Sequence, residues 1–301
     1  MGVRLGDKVA VITGAGRGIG RGIALAMAAE GARVVVNDLG CESNGSSTSS
    51  SPADEVVAEI KRLGGGAVAN YDSVATMAGG ESIINTAVNS FGRIDILVNN
   101  AGILRDRMLF NMTEQEWDDV IAVHLKGHFA CTRYASALMR QQCYGRIINT
   151  SSTSGLYGAV GQSNYGAAKA GIAGLTRVAA RDLGRYGITV NAIVPAADTR
   201  LTATIPEQSR ATRAAMGRPQ QLPNPDDIAP FAVYLATDEA SDINGQLFYV
   251  SGGEISLLCH PTPVKSIYKT GRWTLEELSG VVHSTLAKDL VNPAPAQAPN
   301  P

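Results

Sequence analysis

The sequence predicts an α/β fold, a parallel sheet covered by helices on both faces. Two observations carry that expectation. Short apolar runs rich in β-branched residues recur without polar alternation, as strands buried on both sides do. Segments with helical spacing separate them, and regular β-α alternation requires right-handed crossovers between parallel strands. In order, the expected strands are 9–13 (VAVIT), 33–37 (RVVVN), a weaker 66–71 (GAVANY), 94–99 (IDILVN), 146–150 (RIINT), 189–194 (TVNAIV) and 247–251 (LFYVS). The expected helices are 20–30, 53–63, 80–91, 113–141, 163–186 and 225–236.

The length of 301 residues suits one such domain with an appendage. Residues 1–254 read as that domain, 255–291 as an extension packed on the domain or on a partner, and 292–301 (NPAPAQAPNP) as a flexible Pro/Ala-rich tail. A Ser-rich stretch, 43–51, reads as a mobile loop after the second strand. Hydrophobic residues make up 45% and charged residues 18% of the chain, ordinary for a soluble globular protein. A net charge of −1 gives no bulk electrostatic reason to bind nucleic acid or an acidic membrane. The four cysteines are scattered, with no spacing suited to zinc, and no metal is expected. No apolar run approaches the roughly 18–20 residues of a membrane span. The N-terminus lacks a signal-peptide pattern and the C-terminus lacks a peroxisomal tripeptide. The expected location is the cytoplasm.

The first strand runs into Gly14-Ala15-Gly16-Arg17-Gly18-Ile19-Gly20, after which a helix opens. Glycines there permit a tight turn, close approach of backbone to a pyrophosphate, and close helix-strand packing. The helix N-terminus offers free N–H groups to the phosphates. Asp38 closes the second strand, where a carboxylate accepts hydrogen bonds from ribose hydroxyls and repels a 2′-phosphate. This favours NAD over NADP; Arg17 is a counter-signal, since its guanidinium could hold an extra phosphate. Asp72, with Ser73 and Val74, follows the third strand on the expected adenine side. Asn100-Ala101-Gly102 follows the fourth, where small residues let a cofactor lie against the backbone. Alone, that motif would be an ordinary Asn/Gly turn.

Tyr165 and Lys169 stand one helical turn apart. A free phenol has a pKa near 10, and a neighbouring ammonium is expected to lower it and to hold the nicotinamide ribose. Ser152, at the end of the fifth strand, can direct its hydroxyl at a substrate oxygen. Pro195 and Thr199 follow the sixth strand, where a family resemblance implies that the nicotinamide lies.

These motifs, in order and spacing, make the chain resemble the short-chain dehydrogenase/reductase family. The resemblance implies a single, doubly wound Rossmann-type domain with a seven-stranded parallel sheet. It also implies hydride exchange with a nicotinamide while Tyr165 exchanges the alcohol proton. Two positions depart from the family pattern. His124 stands where an asparagine usually completes a proton relay, and Pro195-Ala196 replaces the usual Pro-Gly. VVNDLG (35–40), AVANYDSV (67–74), GILRDR (102–107), VHL (123–125) and SGLYG (154–158) are similar to a narrower subgroup. That subgroup is the (3R)-hydroxyacyl-CoA dehydrogenase part of multifunctional enzyme type 2 (17β-hydroxysteroid dehydrogenase type 4), and His124 fits it.

The narrower resemblance implies NAD-linked oxidation of a (3R)-3-hydroxyacyl-CoA in β-oxidation of fatty acid or steroid side chains. Ser152, Tyr165 and Tyr157 would face the substrate, and an enoyl-CoA hydratase on a separate chain would act in the same pathway. A homodimer or homotetramer is expected. Residues 199–218 read as a basic substrate lid, where Arg200, Arg210, Arg213 and Arg218 could meet CoA phosphates or simply be solvated. The rival readings are a hydroxysteroid dehydrogenase acting on a steroid alcohol, an NADPH-dependent 3-oxoacyl-ACP reductase, which Asp38 disfavours, and a non-catalytic dinucleotide-binding module. The retained tyrosine and lysine count against the last of these.

Overall fold

Every side chain of β1 (Val9–Thr13) is buried, and successive ones enter different cores. Ala10 and Ile12 join one apolar cluster, Val9 and Val11 the other. That is the signature of a strand covered on both faces. The computed structural model describes residues 3–41, 44–46, 51–199 and 222–294.

Seven parallel strands follow this rule: β1, β2 (Arg33–Asn37), β3 (Ala67–Asn70), β4 (Ile96–Asn99), β5 (Gly145–Thr150), β6 (Ile188–Pro195) and β7 (Leu247–Ser251). With β8 (Glu254–Leu258) they form one sheet in the order β3-β2-β1-β4-β5-β6-β7-β8. The winding reverses between β1 and β4, which opens a crevice at the carboxyl ends of the strands. On one face the apolar cluster takes in α1 (Gly18–Ala29), α2 (Ser51–Arg62) and the helix Ala229–Ala236; on the other, α3 (Met77–Phe91), α5 (Gly127–Gln142) and α7 (Ser163–Leu183). Buried polar groups bind the two layers at the crevice. Asn99 Nδ2 donates to Asn149 Oδ1 (2.9 Å) and to Thr132 Oγ1 (3.1 Å), and Asn149 Nδ2 donates to Thr176 Oγ1 (3.0 Å).

The structure departs from the sequence expectation in three places. β8 makes the sheet eight-stranded, pairing antiparallel with β7 across Gly252-Gly253; it straddles the boundary expected between residues 254 and 255. The expected helix 113–141 is three pieces: α4 (Glu114–Ile121), capped by a reciprocal Thr113–Glu116 box, a π-helical stretch Ala122–Lys126, and α5. A short α6 (Thr153–Tyr157) was not expected; five residues show no readable period.

Contacts divide the chain into two units, Met1–Leu258 and Cys259–Pro301. The second holds the helix Leu275–Val281, started by a Thr274–Glu277 capping box, with Lys269 Nζ bonded to Glu277 Oε1 (2.6 Å). Among the described residues no helix is long and apolar enough to cross a membrane. Most of the Ser-rich loop, nearly all of the basic stretch with its four arginines, and residues 295–301 of the tail lie outside the described residues.

Candidate active site

A cleft of about 400 Å³ opens at the carboxyl ends of the central strands. Its dinucleotide end is built from missing side chains. A Cβ on Gly14 would meet Ala101 Cα at 2.7 Å, and one on Gly20 would meet the Gly14 carbonyl oxygen at 2.1 Å. Gly14 thus lets β4 approach, and Gly20 lets α1 press on the loop. Gly18 shares a positive φ with Gly14 (+52° and +63°) but differs in its surroundings: a Cβ there would face open space, with only Thr199 Cγ2 at 3.8 Å. No side chain caps the first turn of α1, so its N–H groups remain available to an anion. Asn100 stitches this end together, its Nδ2 donating to the carbonyls of Thr13 (3.1 Å) and Gly14 (3.0 Å).

Asp38 is held from two sides. Gly16 N donates to Oδ2 (2.8 Å) and Gly40 N to Oδ1 (2.7 Å), which fixes the carboxylate at the cleft edge with lone pairs to spare. Asp72 is similarly set by Asn70 Nδ2 (2.8 Å) and Ser82 Oγ (2.7 Å). These features fit a nicotinamide dinucleotide: an open glycine corner for the phosphates and a rigid carboxylate for a ribose diol.

At the other end, β5 and α7 are bolted together. Lys169 Nζ donates to the Thr150 carbonyl (2.7 Å), and Ser151 Oγ donates back to the Lys169 carbonyl (2.9 Å). Ser152 begins α6, its Oγ accepting from Ser154 N (3.2 Å). Tyr165 lies between, with the Lys169 ammonium 5.4 Å from its ring centre and the His124 ring edge-on at 5.1 Å. His124 is buried in the π-helical stretch, its Nε2 within 2.8 Å of the Ile103 carbonyl and 3.1 Å of the Ile103 N–H. The ring fits because Gly102 has no Cβ, which would meet His124 Cε1 at 2.4 Å. His124 Nδ1 and Thr150 Oγ1 are buried and find no partner in the protein. Both residues line the cleft.

Burial dominates the electrostatics, contrary to the expectation that Lys169 lowers the phenol. Desolvation pushes Tyr165 up to about 12; its hydrogen bond with Ser152 opposes the rise, and the Asp106 carboxylate adds to it. Desolvation also draws Lys169 down, to about 7. His128, whose Nε2 accepts from Thr150 N (3.4 Å), is lowered to about 3 by burial and then by Lys169. His124 falls well below its usual range for the same two reasons. Both imidazoles are neutral.

The cleft brings together nearly every residue expected from the sequence: Gly14, Arg17, Gly18 and Ile19; Asp38, Asp72, Ser73 and Val74; Asn100, Ala101, Gly102 and His124; Ser152, Tyr165, Lys169, Pro195 and Thr199. Gly16 and Gly20 act behind the surface. Tyr157 is 67% exposed at the far end of α6 and does not line the cleft. Sequence reasoning missed Asn37, Leu39, Cys41, Ile103, Val123, Thr150, Ser151 and Ala197 in its walls. Several flank the residues it named, at strand ends that all reach the crevice.

Comparison with known proteins agrees with this geometry. The family model described as enoyl-(acyl carrier protein) reductase matches residues 14–254. The chain is 42% identical over 292 residues to the hydroxyacyl-CoA dehydrogenase ChsB1 of Mycobacterium tuberculosis, covering 94% of this chain and 90% of that one. It is 46% identical over 256 residues to the mouse peroxisomal multifunctional enzyme type 2, of which it spans only 33%. A short chain dehydrogenase from Mycobacterium avium superposes with a TM-score of 0.82 at 47% identity, covering 98% of this chain and 99% of that one. Fold and cleft define an oxidoreductase that works with a nicotinamide dinucleotide on CH–OH groups. Within that class, the chain belongs to the short-chain dehydrogenase/reductase family.

Burial of Lys169 has a cost that can be measured. Between the folded value of about 7 and the ordinary lysine value of 10.5 the unfolded chain binds the extra proton, so this group makes stability rise with pH across that window. Lys169→Met removes the cost. It is expected to raise stability by roughly 1–3 kcal/mol near neutral pH, allowing for the lost Thr150 bond. Thermal unfolding at pH 7 and at about pH 9.5 checks this: the gain should shrink at the higher pH, and a destabilised variant at pH 7 refutes it.

Proposed function

We propose that this chain oxidises a (3R)-3-hydroxyacyl-CoA to the 3-oxoacyl-CoA with NAD, in β-oxidation of fatty acid or steroid side chains. The observation that carries the reading is the far end of the cleft, where Ser152, Tyr165 and Lys169 converge beside the glycine corner. Its substrate class is supported by the identity with a hydroxyacyl-CoA dehydrogenase along almost the whole chain.

Each group has a task its surroundings suit. Ser154 N fills one lone pair of Ser152 Oγ and leaves the Ser152 proton to bond the substrate oxygen. Tyr165 as phenolate takes the alcohol proton as the C–O bond becomes a carbonyl. A nicotinamide held between the glycine corner and Lys169 would supply the hydride acceptor for the carbinol carbon, and its positive charge in the oxidised state would favour the phenolate. Lys169, fixed by the Thr150 carbonyl, holds the nicotinamide ribose. His124, neutral and with Nδ1 unpartnered, passes the proton onward through water. In the opposite direction Tyr165 is the acid. Oxidation therefore speeds up as pH rises and reduction slows.

Asp38 supports NAD over NADP, because a 2′-phosphate would meet a carboxylate that two backbone N–H groups prevent from moving aside. The same residue weighs against an NADPH-linked acyl-carrier-protein reductase.

Tyr165→Phe is expected to bind NADH, seen as fluorescence enhancement, while its turnover of 3-hydroxybutyryl-CoA falls by a factor on the order of 10³. Turnover near that of the wild type would remove Tyr165 from the chemistry. His124→Phe keeps the ring's bulk but not Nδ1. It should lower kcat about tenfold with NADH binding unchanged; an unaltered kcat excludes the relay. Wild type should prefer NAD over NADP in kcat/KM, and Asp38→Asn should narrow that ratio on the order of tenfold. A wild-type preference for NADP would overturn the cofactor assignment.

A further inference from the structure

Three segments surround the proposed reacting groups: the turn at 105–107, α6 behind Ser152, and α7 with Tyr165. One side chain joins them. Gln162, just before α7, accepts from Ser154 Oγ (2.7 Å) through Oε1 and donates through Nε2 to Asp106 Oδ2 (2.8 Å). A carboxylate only accepts, so Asp106 fixes which way the amide faces, and the amide in turn fixes the Ser154 hydroxyl as a donor. Ser154 N then donates to Ser152 Oγ (3.2 Å). Two further bonds hold the turn to the start of α7: Arg107 N donates to the Gly161 carbonyl (2.8 Å) and Asn164 Nδ2 to the Arg105 carbonyl (3.0 Å).

We infer that Asp106, acting through Gln162 and Ser154, is a positioning residue that holds the Ser152 hydroxyl in place and, by its charge, biases proton exchange at Tyr165. The inference rests on the roles proposed above for Ser152 and Tyr165. Charged and titratable groups face the phenol from every side of its setting: Lys169 from its own helix, neutral His124 from the π-helical stretch, and Asp106 from the turn after β4. Of these, Asp106 brings the negative charge, and it makes the phenol harder to ionise. The guanidinium groups beside it are engaged elsewhere, Arg105 with Asp119 (3.4 Å) and Arg107 with Glu116 (3.0 Å). Loss of water draws the Asp106 carboxyl up, and the Gln162 bond opposes that rise. Asp106 is exposed, so solvent screening keeps its influence modest.

Alcohol oxidation needs the phenolate, so removing the charge should move the acid limb of the kcat profile to lower pH. Asp106→Asn, Asp106→Glu and Gln162→Ala are compared with wild type in kcat against pH, with KM for NAD and NADH fluorescence as controls for an intact cleft. Asp106→Asn, whose Oδ1 can still accept from Gln162 Nε2, should leave KM for NAD unchanged and shift the acid limb down. Asp106→Glu should return the limb to its wild-type position. Gln162→Ala, which keeps the charge, should lower kcat with no downward shift. An unmoved limb in Asp106→Asn, or an equal downward shift in Gln162→Ala, overturns the inference. If Asp106→Asn fails to fold, wild-type kcat in Gln162→Ala does the same. Turnover retained by Tyr165→Phe would instead bring down the functional reading, so the two failures are distinguishable.

Discussion

The lysine bolted across the end of β5 sets the terms for everything around it. Lys169 donates to the Thr150 carbonyl while Ser151 donates back to the Lys169 carbonyl, so strand and helix are tied in both directions within one turn. Gly155 shows how close the next element must come: a Cβ there would meet Ala170 N at 2.5 Å and the Lys169 carbonyl carbon at 2.7 Å. With α6 pressed on α7 in this way, the Ser152 hydroxyl and the Tyr165 phenol come within hydrogen-bonding reach. An ammonium at this depth is unfavourable alone, and the carbonyl bond only partly offsets the cost.

Two histidines complete the setting by staying neutral. His124 and His128 lie one turn apart and take partners from two strand ends, Ile103 beyond β4 and Thr150 at the end of β5. Were either protonated, a second positive charge would face Lys169 in a medium with little screening. Burial prevents this at both positions. The π-helical stretch matters here, since an inserted residue turns a side chain off the regular helical track. It brings His124 to the cleft, where Gly102 leaves the space its ring fills.

The nucleotide half was legible in the sequence because it is built from backbone, and glycines mark where backbone must do unusual things. The seven parallel strands were legible for a related reason: burial on both faces leaves runs such as VAVIT and RVVVN with no polar alternation. β8 escaped because it is an edge strand, with Ile255 and Leu257 more than half exposed, so its EISLL run imitates neither a buried strand nor a helix. The Gly252-Gly253 turn was its one available signal. The break in the long helix carried no proline or glycine at the irregular residues and was invisible. Tyr165, Lys169 and Ser152 could be located from spacing, but the direction in which their pKa values move could not. That direction depends on burial, which exists only once the layers are packed.

This contrast explains why spacing misled about charge. A Tyr-x-x-x-Lys pair on a solvated helix would behave as expected, with a full cation favouring the phenolate. Here the same packing that aligns the pair strips water from both, and desolvation is the largest influence on each, raising the phenol and lowering the ammonium. The protein alone therefore favours a neutral phenol. In the function proposed above, the positive charge of an oxidised nicotinamide would favour the phenolate, and burial of Lys169, at a cost in stability, would tie the strength of the proton acceptor to the presence of a hydride acceptor.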